Sequence, residues 1–285
     1  MANLKEIRGR ITSISSTMQI TSAMKMVSAA KLKKAQDAIV MLRPYSEKLQ
    51  EIIQNVSSNA DSDSVSAFAQ KREVKKVLYI AVTSNRGLAG AFNSSIIKEL
   101  NNRISNTTAE VEVLTIGKKV FDVVKKTRTI YDNQSAIFDH LSFGAVAKIT
   151  STVMKDFSEG KFDEVHLIYN KFINAATQEV TTEQLLPIAM PENQGSTNSD
   201  YIFEPNRNEI LESLIPKSIK TQVYKSVLDS VASEHGARMT AMHKATDNAQ
   251  ALKNDLVIFY NKARQAAITN EILEIVSGAE ALKNG

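Results

Sequence analysis

Two stretches at opposite ends of the chain place mainly apolar residues alternately three and four positions apart, and this spacing restricts the fold more than any other feature. A mean step of about 3.5 residues is typical of the seam between two helices that wind around each other. In the first stretch the predicted seam is Leu4, Ile7, Ile11, Ile14, Met18, Thr21, Lys25, Ser28, Leu32, Ala35, Ile39 and Leu42. In the last stretch it is Met242, Ala245, Ala249, Leu252, Leu256, Phe259, Ala263, Ala266, Asn270 and Leu273.

The length of these two predicted helices indicates that they pair. At a rise of 1.5 Å per residue, a helix over 207–283 spans about 115 Å and the first helix about 80 Å. A compact chain of 285 residues has a radius of gyration of only about 19 Å. Because the helices flank a middle region of different character, we predict an antiparallel coiled coil in which the longer C-terminal helix extends beyond its partner.

The middle region alternates strand and helix patterns, which is typical of an α/β sheet. Apolar runs predict strands at 77–82, 111–116, 165–169 and 180–186, with helical stretches at 93–104, 118–126 and 143–157. The predicted fold class is therefore α/β, a long antiparallel coiled coil of the terminal helices with a Rossmann-like domain inserted between them. The predicted domains are the N-terminal coiled-coil helix at 1–58, the α/β domain at 74–205 and the C-terminal coiled-coil helix at 207–285.

Charge and composition narrow the classes of partner. The first 50 residues carry nine Lys or Arg against three acidic residues, within a net charge of +4, and such a basic arm favours an acidic partner. Nucleic acid is the alternative, but the arm lacks interleaved aromatic residues and any reader motif, so we predict none. The chain has no cysteine, no apolar run long enough for a membrane span and no signal-peptide pattern at its start. We therefore expect it in the cytosol of a bacterial cell.

The sequence contains no convincing catalytic, cofactor-binding or metal-binding constellation. The turn TSNRGLAGAFN holds Gly87 and Gly90, which give only a GxxG spacing, well short of a dinucleotide fingerprint. His235 and His243 lie eight positions apart on one predicted helix, without a third ligand nearby. A nucleotide-dependent enzyme using the Gly87–Gly90 turn and a cytosolic coiled-coil scaffold remain the alternatives to a mechanical role. Nucleotide binding by the isolated chain would favour the enzyme, and absence from an ATPase would favour the scaffold.

Three segments carry a resemblance to a known family. The segment IRGRITSISSTMQITSAMKMVSAAKLKKAQ (7–36) resembles the N-terminal signature of the γ subunits in the F1 part of bacterial F-type ATP synthases. The segment 233–282, which ends in ITNEILEIVSGAEAL, resembles their C-terminal signature. SNRGLAGAFN resembles the family's turn after the first strand. The resemblance spans the whole chain.

The resemblance implies a non-catalytic rotor in the central stalk. In this family the coiled coil lies inside the α3β3 hexamer of F1, and the α/β domain lies with the ε subunit on the c-ring of Fo. Ion flow through the ring turns the stalk, and ATP is made on the β subunits. The implied location is the cytoplasmic face of the cell membrane, as a peripheral protein. The absence of cysteine means that the redox switch of plastid relatives is missing.

The resemblance also implies which side chains meet the β subunits. Arg264 and Gln265 match residues that meet a catch loop of β, and Arg86 matches an arginine that faces an acidic lever of β. Met24 lies near that contact, and Arg238 and Thr269 match polar positions coupled to it. The implied basic collar that faces the lever is formed by Lys25, Lys31, Lys33 and Lys34. The implied tip, held in an apolar bearing of the ring, runs from Val276 through Ala279 to Leu282.

Overall fold

The computed structural model describes residues 4–57, 68–70, 72–188 and 207–283. Its long helices are α1 (Leu4–Ser57) and α5 (Arg207–Lys283). Between them the shorter helices are α2 (Phe92–Ser105), α3 (Lys118–Val124) and α4 (Phe143–Ser158). The strands are β1 (Lys76–Val82), β2 (Glu110–Ile116), β3 (Thr129–Asn133), β4 (Glu164–Phe172) and β5 (Gln178–Leu186), and a 3-10 helix covers Ser135–Asp139. None of the described helices combines the length and hydropathy needed to cross a bilayer.

The strands of the described residues form one sheet in the order β3-β2-β1-β4-β5. Neighbours pair in parallel except β4 and β5, which form an antiparallel hairpin. The α/β class predicted from the sequence is confirmed. Strand β3, TIYDN, is not predicted from the sequence, because it is a short edge strand in which no side chain is fully buried, so it lacks a continuous apolar run.

Strand β1 shows why this sheet is covered on both faces. Its side chains alternate, as they must in an extended chain. Val77, Tyr79 and Ala81 lie in a core with residues of α2 and α3. Leu78, Ile80 and Val82 lie in a second core with residues of α4 and of α5 between Leu211 and Val227. A strand buried on both faces reads as an unbroken apolar run, as it does here.

The chain forms two compact units, and both long helices contribute to each of them. One unit is Ser28–Arg238, which holds the sheet, and the other combines the chain up to Val27 with the chain from Met239. This division cuts across the predicted three domains, whose boundaries remain predictions.

In the unit formed by the chain ends, α1 and α5 pack against each other in antiparallel orientation. An Arg8 guanidinium nitrogen donates to the Tyr260 hydroxyl at 2.6 Å, the Lys253 ammonium to the Ser15 hydroxyl at 3.4 Å, and the Thr21 and Thr246 hydroxyls bond at 2.7 Å. Since the partner's number falls as the α1 number rises, the two helices run in opposite directions. The predicted antiparallel pairing of the terminal helices is confirmed.

The predicted α1 seam agrees with burial, whereas the predicted α5 seam is partly wrong. All twelve α1 seam side chains are buried or half-buried, including Thr21, Lys25 and Ser28. On α5, Leu252 and Phe259 are about half exposed and Ala266 is exposed, whereas the next residues, Lys253, Tyr260 and Ala267, are half-buried. Lys253 and Tyr260 bury the apolar part of their side chains at the interface and keep the polar group at its edge. Because they are not classed as apolar residues, a search for apolar spacing assigns the seam to their more hydrophobic neighbours.

The end of α5 has no cover from the described chain. Every residue from Ile268 to Leu282 is exposed, and therefore Asn270 and Leu273 are not seam residues either. The large apolar side chains exposed here are Ile268, Ile272, Leu273, Ile275, Val276 and Leu282. The helix thus continues for about four turns with apolar side chains in solvent.

Candidate partner-binding surfaces

The turn after β1 is fixed by a network of polar side chains. The Ser84 amide donates to Asn93 Oδ1 at 3.0 Å. The one hydrogen of the Ser84 hydroxyl has two acceptors within reach, the Arg86 carbonyl at 2.6 Å and Asn93 Oδ1 at 3.0 Å. Asn85 Nδ2 donates to the Ser135 carbonyl at 2.9 Å. Sequence reasoning did not single out these residues, although Ser and Asn directly after a strand are the usual signal of side chains that bond to a turn backbone. The result is a rigid platform for Arg86, whose side chain is exposed.

The same turn occupies the amides that a phosphate group would need at the neighbouring helix. At the start of α3, the Lys118 amide donates to Asn85 Oδ1 at 2.9 Å and the Lys119 amide to the Ser84 carbonyl at 3.2 Å. The Val120 amide donates to Thr83 Oγ1 at 3.0 Å. Phosphate sites in such sheets use free amides at helix starts. The network therefore argues against a phosphate-binding site at the start of α3.

Arg238 lies beneath the turn and is only 7% exposed. Its guanidinium bonds to Glu234 Oε1 at 2.6 Å and donates to the carbonyls of Arg86 and Gly87 at 3.2 Å. The structure therefore gives Arg238 internal partners, and a direct contact with another subunit remains a prediction.

Burial controls the titration of the groups next to Arg238. Desolvation raises the pKa of Glu234, while Arg238, and more weakly Lys31 and Arg86, oppose this rise. Burial, followed by repulsion from Arg238 and Lys31, lowers the pKa of His235 to about 4. His235 is therefore neutral at pH 7, and the positive charge beside it comes from Arg238 and Lys31.

Part of the predicted basic collar surrounds one cleft. Lys31 and Lys34 of α1 and Arg86 of the turn line a cleft of about 490 Å³ whose walls include Phe138 and Tyr224. Lys33 is not among the lining residues, and its ammonium pairs with Asp37 at 2.9 Å. Within this unit the structure brings Arg86, Lys31 and Lys34 together, while Lys33 points to its own helix.

The remaining predicted contact residues lie in the unit formed by the chain ends. Met24 and Lys25 are half-buried, whereas Arg264, Gln265 and Thr269 are exposed on α5. The Thr269 hydroxyl donates to the Gln265 carbonyl at 3.0 Å. Arg264 forms no ion pair or side-chain hydrogen bond with the part of the chain that the structure describes. Its charge is thus available to a partner.

The predicted tip is the exposed end of α5. Val276, Ala279 and Leu282 all lie in its solvent-exposed stretch. No group of three or more His, Cys, Asp or Glu side chains with metal-binding geometry occurs among the described residues. What this region offers is a helix end whose large apolar side chains are exposed, and such surfaces usually mark contacts with other proteins.

Comparison with known proteins identifies the family. A family model described as ATP synthase matches residues 3–282. The ATP synthase gamma chain of Flavobacterium psychrophilum is 62% identical over 285 residues, covering 99% of this chain and 100% of that protein. The gamma chain of Geotalea daltonii is 45% identical over 287 residues, covering 99% of this chain and 100% of that protein.

Solved structures agree with the fold. The central stalk and c-ring structure of Tetrahymena thermophila mitochondrial ATP synthase matches with a TM-score of 0.59 and 26% identity, covering 79% of this chain and 99% of that chain. A chain of the Euglena gracilis mitochondrial ATP synthase matches with a TM-score of 0.68 and 20% identity, covering 98% of this chain and 94% of that chain. The chain belongs to the family of ATP synthase gamma chains, the non-catalytic rotor subunits of the central stalk.

Proposed function

We propose that this chain is the axle between the c-ring of Fo and the α3β3 hexamer of F1, and that its rotation carries each β subunit through its nucleotide-binding states. The ε subunit accompanies the α/β domain on the c-ring, and the assembly lies on the cytoplasmic face of the cell membrane. The membrane contact is indirect, through the ring. The observation that supports this assignment most is the exposed apolar end of α5, which we expect the surrounding subunits to enclose.

The composition of the helix pair suits a part that must turn inside its sleeve. Burial of apolar area contributes about 25 cal/mol per Å², so a continuous Leu-rich surface would hold the axle at one angle. The paired region instead exposes polar residues and small side chains such as Ala266 beside scattered apolar residues. Such a surface binds the surrounding subunits weakly at many rotational angles, so no single angle is strongly favoured.

Exposed charge supplies the preference for one β state at each angle. A rotor shifts the equilibrium of a β subunit only by its different affinity for the two states. Arg264 and Gln265 on α5 serve the catch loop of β, Met24 lies near the contact with the acidic lever, and Thr269 is a polar position coupled to it. Arg86, Lys31 and Lys34, which line one cleft, face the acidic lever. Lys25 and Lys33 complete the basic collar, Lys33 after release from its exposed pair with Asp37. Arg238 acts on the same lever indirectly, since its partners are the carbonyls of the Arg86 turn.

Co-purification from membranes tests this assignment. An affinity-tagged chain is expressed in its own organism, the membranes are solubilised in mild detergent, and the captured proteins are identified and assayed for ATP hydrolysis. We expect α, β, ε and ring subunits together with ATPase activity. Recovery of the tagged chain without an ATPase would contradict the proposal and favour a scaffold. Stoichiometric nucleotide binding by the isolated chain would favour an enzyme.

A further inference from the structure

Leu88 has an unusual backbone. Among the described residues it is the one residue other than glycine with a positive φ, 61°. In this left-handed region the Cβ of an L-residue crowds the following carbonyl, and a bulky side chain is a rare occupant. Gly87 stands immediately before it but does not adopt this region. The left-handed backbone is therefore adopted by Leu88 and not by the glycine directly before it, which could adopt it without strain.

The Leu88 side chain gains no burial in return for this backbone. It is 65% exposed, whereas the next residue, Ala89, is buried. Glycine or asparagine would adopt the same backbone at lower cost. No packing against the described residues therefore explains a leucine at this position, and residues held in strained conformations cluster at functional sites.

The neighbours of Leu88 hold it in place. Arg238 donates to the carbonyls of Arg86 and Gly87 on one side. On the other side, Gly90 also has a positive φ of 57°, and the Phe92 amide donates to the Ala89 carbonyl at 3.2 Å. The backbone is thus fixed before and after Leu88, while its side chain points away from the core.

We propose that Leu88 is a docking residue that acts together with Arg86. The two exposed side chains stand two residues apart on one rigid turn, a span of at most about 7 Å. They fit a partner surface that offers a carboxylate for the guanidinium and an apolar recess beside it. This inference rests on the proposed function, because the partner we assign is the acidic segment of the β subunit that Arg86 faces.

The pairing gives the contact a property that charge alone lacks. An exposed ion pair is weakened by salt and tolerates many orientations. Burial of a leucine depends little on salt and requires the recess to be aligned with the turn. Leu88 therefore makes the Arg86 contact selective for one angle of the rotor.

Three substitutions of Leu88 test the proposal in the full chain. Leu88→Gly relieves the backbone and removes the side chain, Leu88→Asn keeps similar size without the apolar surface, and Leu88→Met keeps an apolar side chain. Each variant is assembled with α and β subunits, and ATP hydrolysis is measured at low and high salt. Thermal unfolding is measured on the full chain alone.

We expect stability and function to move in opposite directions. Leu88→Gly and Leu88→Asn should unfold at the same temperature as the unsubstituted chain or up to about 3 °C higher. In the assembled complex both should reduce the rate of ATP hydrolysis at least threefold, and the deficit should persist at high salt. Leu88→Met should retain most of the rate.

Different outcomes overturn different claims. A lower unfolding temperature for Leu88→Gly would make Leu88 a support of the fold and would refute a docking role. Unchanged hydrolysis in the Gly and Asn variants, together with a loss in an Arg86→Gln variant, would refute the inference and leave the proposed function intact. If the unsubstituted chain has no effect on hydrolysis by α and β subunits, the proposed function fails, and the assigned partner fails with it.

Discussion

Replacing Arg238 with methionine should destabilise the unit that contains the sheet by about 3–5 kcal/mol, because removal of one partner leaves a buried charge without compensation. Arg238 is almost fully buried, and its bond to Glu234 is 2.6 Å long. The variant also loses donors to the Arg86 and Gly87 carbonyls. At roughly 2–4 °C per kcal/mol, the unfolding temperature should fall by about 10 °C.

The loss should depend on pH in a defined direction. Burial already raises the pKa of Glu234, and Arg238 is the first of the groups that oppose the rise. Without Arg238 the folded-state pKa rises further above the unfolded value. The stability of the variant is then retained at acidic pH and lost as pH increases through the folded-state pKa. The difference from the unsubstituted chain should be smaller near about pH 5 than near about pH 8.

Urea titrations of both chains at the two pH values measure this difference directly. The Glu234→Gln/Arg238→Met double variant is the matched control, since it removes the buried carboxylate and should reduce the pH dependence of the difference to the part that comes from His235, whose pKa Arg238 also lowers. A loss below about 1 kcal/mol at both pH values would be typical of an exposed pair. That result would refute the buried ion pair as a support of the turn.

Three further substitutions and one deletion test other parts of the structure. Gly236→Val should lower the free energy of unfolding by about 1–3 kcal/mol, because a Cβ at Gly236 would lie 3.2 Å from Ala175 Cα. Gly9→Ala lies in open space on α1 and should instead raise the free energy of unfolding by up to about 1 kcal/mol. Urea titration measures both changes. Arg264→Glu should lower coupled ATP hydrolysis in the assembled complex while the unfolding temperature stays unchanged, and normal turnover would count against this contact. Deleting the chain from Val276 onward should leave assembly intact on gel filtration but reduce the torque measured against a viscous load, and failure to assemble would contradict the bearing role.

The sequence predicts the architecture well because its largest features are periodic. The apolar run of β1 and the three-four spacing from Leu4 to Leu42 each extend over many residues, so single exceptions do not obscure them. The α5 seam is misplaced where Lys253 and Tyr260 replace purely apolar side chains. Amphipathic side chains bury their stems without raising the apolar count.

The surfaces are less predictable than the elements that carry them. The sequence identifies Arg86 only through a family resemblance, and it does not distinguish an exposed arginine from a buried one such as Arg238. Burial of Arg238 depends on carbonyl groups of a turn about 150 residues away in the chain. Local patterns carry no information on such distant backbone partners, and the same holds for the strained backbone of Leu88.

Observation of rotation in single complexes tests the central claim most directly. Because the chain contains no cysteine, Lys126→Cys, on the exposed turn after α3, gives one attachment point for a bead, while the β subunits are fixed to a surface. We predict unidirectional rotation driven by ATP hydrolysis, with one step for each β subunit. Hydrolysis at the normal rate without rotation of the bead would contradict the account.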